Sequence, residues 1–138
     1  MRCLIAPNPS PLTGAGTNTY LIGTQELALI DPGPNLEDHA EAILNALEPD
    51  QAITHIFVTH AHRDHSEGVA RLKQTTGATV YAFGDARAGR SAQMEALAAE
   101  GVLDGGEGMD ANFAPDVSLE DGETVHGHDW SLTAYWTP

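Results

Sequence analysis

The chain has 138 residues, room for one domain and for a core that hides roughly two-thirds of the unfolded surface. Six Lys and Arg stand against 20 Asp and Glu, a formal charge of −14, so nucleic acid is a poor default partner unless a local basic groove or a metal offsets that average. Cys3 is the single cysteine, which excludes an intrachain disulfide, and no apolar run approaches a membrane span, so the cytoplasm is the expected compartment.

Cys3 to Ala6 is a short apolar run ended by Pro7 and Pro9, and predicts a first strand. Ser10 to Gly16 is a Pro- and Gly-rich turn. Thr17 to Gly23 and Leu27 to Ile30 read as two strands with a bend at Gln25-Glu26, and Asp31-Pro32-Gly33-Pro34 breaks the second. Asn35 is a candidate N-cap for a helix whose stripe is Leu36, Ala40, Ile43, Leu44 and Leu47, ending before Pro49. Ile53 to Val58 is a continuous apolar run that suits a strand buried on both faces. Ser66 is expected to cap a helix to about Thr75, closed by Gly77. Thr79 to Ala82 follows as a strand. Ser91 is the expected cap of a helix carrying Met94, Leu97 and Ala98 and ending at Gly101. Gly101 to Asp116 has no periodicity and reads as a surface loop, and segments at 117–119, 123–125 and 130–136 as strands of a closing meander. The order is that of a mixed α/β, or α+β, domain.

The chemistry concentrates in Thr59-His60-Ala61-His62-Arg63-Asp64-His65, just after the apolar run. Extended backbone sends residues i and i+2 to one side, so His60 and His62 can bind one metal as the chain leaves the strand. Asp64 and His65 follow where the chain turns, placed to reach a second ion. Imidazole and carboxylate without thiolate suit zinc, with iron or manganese as alternatives. Two ions about 3.5–4 Å apart could hold a bridging hydroxide, a strong nucleophile at neutral pH.

His60, His62, Asp64 and His65 form H-x-H-x-D-H after a buried strand, a motif that resembles the hallmark of the metallo-β-lactamase superfamily position by position. The resemblance implies that His60 and His62 bind the first metal and that Asp64 and His65 bind the second, with Asp64 also the candidate catalytic residue. Leu29-Ile30-Asp31-Pro32-Gly33 is similar to the family's strand-end segment, which gives Asp31 a supporting rather than a ligating role. Asn8-Pro9-Ser10-Pro11 and Gly16-Thr17-Asn18-Thr19-Tyr20-Leu21-Ile22-Gly23 look most like the β-lactamase-like protein 2 branch, with glyoxalase II a more distant cousin. The implied fold is the N-terminal half, residues 1–138, of an αβ/βα sandwich: a mixed sheet with helices on one face.

The same resemblance carries a departure. The family's next ligand is the histidine of T-P-G-H, and Leu132 to Pro138 looks like the strand that leads into it. The expectation is therefore a chain truncated before the third metal-site histidine, with zinc weak or absent and no turnover. A catalytic zinc normally has three protein ligands and a water. In the complete protein, metal-bound hydroxide would attack a small ester or thioester, with single-stranded RNA as another candidate substrate. The rival from another class is a non-catalytic metal-binding or self-associating fragment. Half a sandwich would bare the inner face of its sheet, including alternate residues of 27–30 and 130–136, and drive homo-oligomerisation.

Other features read as structural. His126-Gly127-His128 suits an exposed hairpin turn, His39 the polar side of the first helix, and His55 the start of the motif-bearing strand. Asp104, Glu107, Asp110 and Asp116 do not match the calcium-loop spacing and read as a solvated acidic loop. Trp130 and Trp136 are expected on one strand face, in the core.

Overall fold

The computed structural model of the chain describes residues 1–89 and 108–137. Strands β1 (Arg2–Ile5), β2 (Asn18–Ile22) and β3 (Glu26–Ile30) pair antiparallel in sequence order. β4 (Ala52–Phe57), β5 (Thr79–Ala82) and β6 (Val117–Ser118) continue the sheet in parallel, giving six strands in the order β1 to β6. Helix α1 (Glu37–Asn45) provides the crossover from β3 to β4, and α2 (Arg63–Ser66) with α3 (Val69–Thr76) that from β4 to β5. β7 (Thr124–His126) and β8 (Ser131–Thr133) form a separate antiparallel hairpin. The architecture is the mixed α/β sheet expected, with helices on one face. No helix among the described residues is long and apolar enough to cross a membrane.

The larger core lies between sheet and helices. Leu27, Leu29, Ile53, Ile56, Val58 and Val80 from the strands pack with Ile43 of α1 and Leu72 of α3. A second cluster lies on the opposite face, where Trp130 of the hairpin packs on Ala28, Phe57 and Leu119. Phe57 and His55 share that face, each ring edge-on to Trp130. Alternation alone puts His55 and Phe57 together, but Ile53 is on the other face because the β3–β4 register shifts: Leu27 pairs with Ile53 but Ala28 pairs with His55, leaving Thr54 as a bulge. The bulge lets Ile53 and Ile56 both meet the helices while His55 and Phe57 meet the hairpin.

Several expectations need correcting. Asn35 does not cap α1; Leu36 occupies that position, with no side-chain cap, and Glu37 and Asp38 supply negative charge to the first turn. Ser66 does not cap a helix either. It ends α2, whose N-cap position is His62, and α3 begins separately after Gly68. Gly77 does close α3, in the left-handed region at φ 72° that favours glycine. His39 is not on a solvated side but is 2% exposed, its Nε2 2.9 Å from the Thr19 hydroxyl. Trp130 and Trp136 do not share a strand: Trp130 is buried and donates Nε1–H to Glu26 O at 2.8 Å, whereas Trp136 is exposed and stacks on Phe83. The sheet face opposite the helices is not bare, since the hairpin covers part of it. The expected helix from Ser91 to Gly101, and Asp104 and Glu107, lie outside the described residues.

Candidate metal centre

β3 and β4 run parallel side by side at the centre of the sheet, so Asp31 after β3 and Thr59 after β4 arrive together beyond the C-terminal ends of the strands. Asp31 is the only non-glycine residue among those described with a positive φ, 52°. That turn, which Asp tolerates better than most side chains, aims its buried carboxylate at the loop that follows β4. The carboxylate accepts the Thr59 backbone N–H at 2.8 Å, the Thr59 hydroxyl at 2.8 Å and His65 Nδ1–H at 2.9 Å.

These bonds decide the ring protons. The Thr59 hydroxyl donates to Asp31, so it accepts Nδ1–H from His60 at 3.0 Å. His60 and His65 are thus both anchored through Nδ1, one through Thr59 and one directly, and each presents Nε2 to the site. His60 Nε2 lies 3.1 Å from His62 Nδ1, and His65 Nε2 lies 3.3 Å from Asp64 Oδ2. Neither contact is favourable between bare lone pairs. Each needs a proton or a cation between its partners.

The charges agree with that picture. Burial, then the neighbouring His65 and His62, hold His60 below the ordinary histidine range despite Asp31 and Asp64. Burial also opposes charge on His65, but its hydrogen bond to Asp31 and the charges of Asp31 and Asp64 together outweigh that, and its pKa is raised.

The geometry fits metal as pairs. Two nitrogens on one tetrahedral zinc at about 2.0–2.1 Å stand about 3.3 Å apart. The His60–His62 and Asp64–His65 separations are of that size. Among the described residues, however, no group of three or more His, Cys, Asp or Glu is arranged to hold one ion. The four motif residues therefore come together as two adjacent two-donor edges rather than as a closed site.

Two supports escaped sequence reading. The Thr17 hydroxyl, buried on the turn before β2, donates to Asp64 Oδ2 at 2.9 Å. Residues 108–113 strap the loop from the other side: Gly108 O accepts Arg63 N–H, and Asp110 N–H donates to Ala61 O. The single Ser66 hydroxyl proton is shared between His62 O at 3.0 Å and Asp110 Oδ2 at 3.1 Å, so Asp110 is a brace rather than a solvated acid. Asp116 is likewise engaged, by Lys73 and by Val80 N–H. Both pairings span more than thirty residues and leave no local pattern. The exposed His126 and His128 lie at the hairpin turn as expected.

Beside the His60–His62 edge lies a cleft of about 210 Å³, walled by Phe83, Met109, Phe113 and Trp136. A strand-end histidine pair and the Asp31 carboxylate hub thus stand together beside that cleft.

The family comparison decides its kinship: the metallo-beta-lactamase superfamily model matches residues 12–138. The chain belongs to that superfamily. Among curated relatives, an atrochrysone carboxyl ACP thioesterase, dmxR1, of Cryptosporiopsis sp. is 38% identical over 71 residues, covering 50% of this chain and 22% of that protein. A β-lactamase-like protein 2 homolog of Caenorhabditis elegans is 39% identical over 72 residues, covering 50% and 24%. Among solved structures, the subclass B3 metallo-β-lactamase BJP-1 of Bradyrhizobium japonicum aligns at TM-score 0.60 and 28% identity, over 91% of this chain and 47% of that one. The matched stretches thus span about a quarter of these curated relatives and under half of the solved structure, and the chain corresponds to the N-terminal portion of its homologues.

Proposed function

We propose that this chain carries the strand-end half of a zinc centre, with His60 and His62 as one ligand edge and Asp64 and His65 as the other, in a hydrolase of esters or thioesters. The observation that carries the reading is the Asp31 hub, which turns the Nε2 atoms of His60 and His65 into the site through Thr59 and directly. When bound, zinc supplies a nucleophile from water at neutral pH and polarises the bond under attack. Asp31 and Thr59 hold the imidazoles in the ligand tautomer, Asp64 contributes the anionic donor, and Phe83 with Trp136 shields one side of the site. The thioesterase among the relatives favours a thioester over RNA, as does the −14 charge.

With two protein donors on each edge, the 138-residue chain is proposed to hold zinc weakly and to turn nothing over. The lone cysteine suits the cytoplasm. Self-association is proposed through the part of the sheet face that the hairpin leaves open, a cleft of about 290 Å³ between Ile30, Phe57 and Tyr81 on one side and Leu132 and Ala134 on the other. Sedimentation at micromolar concentration should then show a dimer, and a clean monomer removes that part of the reading.

Zinc titration followed by imidazole ¹⁵N shifts tests the site. Nε2 of His60, Nδ1 of His62 and Nε2 of His65 should move together. Rings that stay unmoved at millimolar zinc would refute the assignment. In any longer protein containing this chain, thioester hydrolysis should require metal and be removed by His62→Ala or Asp64→Ala.

A further inference from the structure

We infer that Thr17 is a positioning residue for Asp64, and that Asn8 sets the direction in which its hydroxyl points. The inference rests on the reading of Asp64 as a ligand and adds to it what holds that ligand in place. The Thr17 hydroxyl donates to Asp64 Oδ2 at 2.9 Å, and the same oxygen faces His65 Nε2 at 3.3 Å. Asn8 Nδ2–H donates to Thr17 Oγ1 at 3.1 Å. An occupied lone pair on Oγ1 leaves the hydroxyl proton to be spent on Asp64.

The rest of Thr17 is held independently of that bond. Its N–H donates to Asn8 Oδ1 at 2.9 Å and its carbonyl accepts Ala6 N–H at 2.9 Å. The backbone therefore stays in place when the hydroxyl is removed, and the residue is only 5% exposed, so water does not replace the lost donor. Asp64 itself is half-buried and sits in the first turn of the four-residue helix α2, with no ion pair among the described residues other than that to His65. Without Thr17 the 3.3 Å contact to His65 Nε2 is the one side-chain contact left to its carboxylate among the described residues, and the rotamer is free to average. A hydroxyl donated to the ligating oxygen narrows the carboxylate to one rotamer, which is how outer residues raise metal affinity.

Three variants of the 138-residue chain separate this from a packing role. Thr17→Val keeps the shape and removes the hydroxyl, and Thr17→Ser restores it. Asn8→Asp keeps the acceptor for Thr17 N–H but replaces the Nδ2 donor with a second acceptor, drawing the hydroxyl away from Asp64. The first readout needs no metal: three-bond couplings to Asp64 Cγ report its χ1. The wild type and Thr17→Ser should show one rotamer, while Thr17→Val and Asn8→Asp should show averaging. The second readout is cobalt affinity by visible absorption, expected to fall about tenfold in Thr17→Val and Asn8→Asp and to return in Thr17→Ser. A single Asp64 rotamer in Thr17→Val overturns the inference whatever cobalt does, and so does a Thr17→Ser that averages like the valine variant. If Thr17→Val does not fold, Asn8→Asp carries the same decision. A wild type that holds Asp64 in one rotamer yet never binds cobalt counts against the metal reading and leaves the Thr17 contact standing.

Discussion

Asp31 offers the most demanding test of how the site is built, because one carboxylate holds two histidines and one strand end. Asp31→Ala removes an acceptor that takes three hydrogen bonds in a site only 6% exposed. Bonds to a charged acceptor are worth about 1.5–3 kcal/mol each. They share one carboxylate, and Thr59 and His65 can partly rehydrate, so the sum is discounted to about 3–4 kcal/mol. Alanine at φ 52° adds about 1 kcal/mol, since Asp tolerates the left-handed region better. The total, about 4–5 kcal/mol, approaches the whole stability of a small domain.

Substituting three residues at this position separates the terms. Asp31→Asn keeps the turn and one acceptor oxygen and should cost about 2 kcal/mol. Asp31→Gly loses the acceptor but relaxes the backbone, and should lie about 1 kcal/mol above Asp31→Ala. Urea unfolding followed by tryptophan fluorescence gives the order Asp, Asn, Gly, Ala, with unchanged slopes. In parallel, ¹⁵N imidazole spectra should show His60 and His65 protonated at Nδ1 in the wild type and scrambled in the glycine variant. If Asp31→Ala unfolds within 1 kcal/mol of wild type, or leaves both tautomers in place, the hub is not what holds the loop.

Trp130→Ala should cost about 3–5 kcal/mol and release the β7–β8 hairpin, seen as new binding of an apolar dye; unchanged dye binding would show that the hairpin is held elsewhere. Gly33→Ala places a methyl carbon 2.8 Å from the His39 ring at φ 84°, and should destabilise by about 1–3 kcal/mol, read from the urea midpoint. Zinc bound to the 138-residue chain should be lost on dialysis, and metal that survives it would show a third donor on one edge. His39 is held neutral by burial, so its folded pKa lies below 6.5 and the unfolded chain binds the proton first. Stability should therefore fall as pH drops below 6.5, and should level off below the folded pKa. His55 and His60 are lowered too, so the decisive comparison is His39→Gln, whose pH slope between 5 and 7 should be shallower than that of the wild type.

The histidine loop was legible in the sequence because its four donors fall within six positions, and a strand and a turn are enough to bring them together. The strand before it was legible as a run rich in Ile, Phe and Val. Capping was not. Ser66 has the chemistry of an N-cap, but its hydroxyl is claimed by His62 O and Asp110, and the chain has already begun its helical turn at Arg63. Trp136 reads as core by hydrophobicity, yet it is Phe83, not the sheet, that it finds to stack on. Each of these depends on a partner distant in sequence, which local pattern does not report.

The bulge at Thr54 shows how small such a hidden determinant can be. Strict alternation through Ile53, His55 and Phe57 would put all three on one face of β4. One unpaired residue instead sends Ile53 to the helices and leaves His55 and Phe57 under Trp130. The phase set there runs to the end of the strand, where Val58 points into the helical core and Thr59 emerges on the opposite side, beside Asp31. Thr59 must stand on that side for its hydroxyl to bridge Asp31 and His60. A register without the bulge would turn Thr59 away and leave His60 Nδ1 without its anchor. The placement of the His60 ring thus rests on a backbone irregularity six residues upstream. Neither residue type nor spacing announces it, and the orientation of the centre is set there as much as in the motif itself.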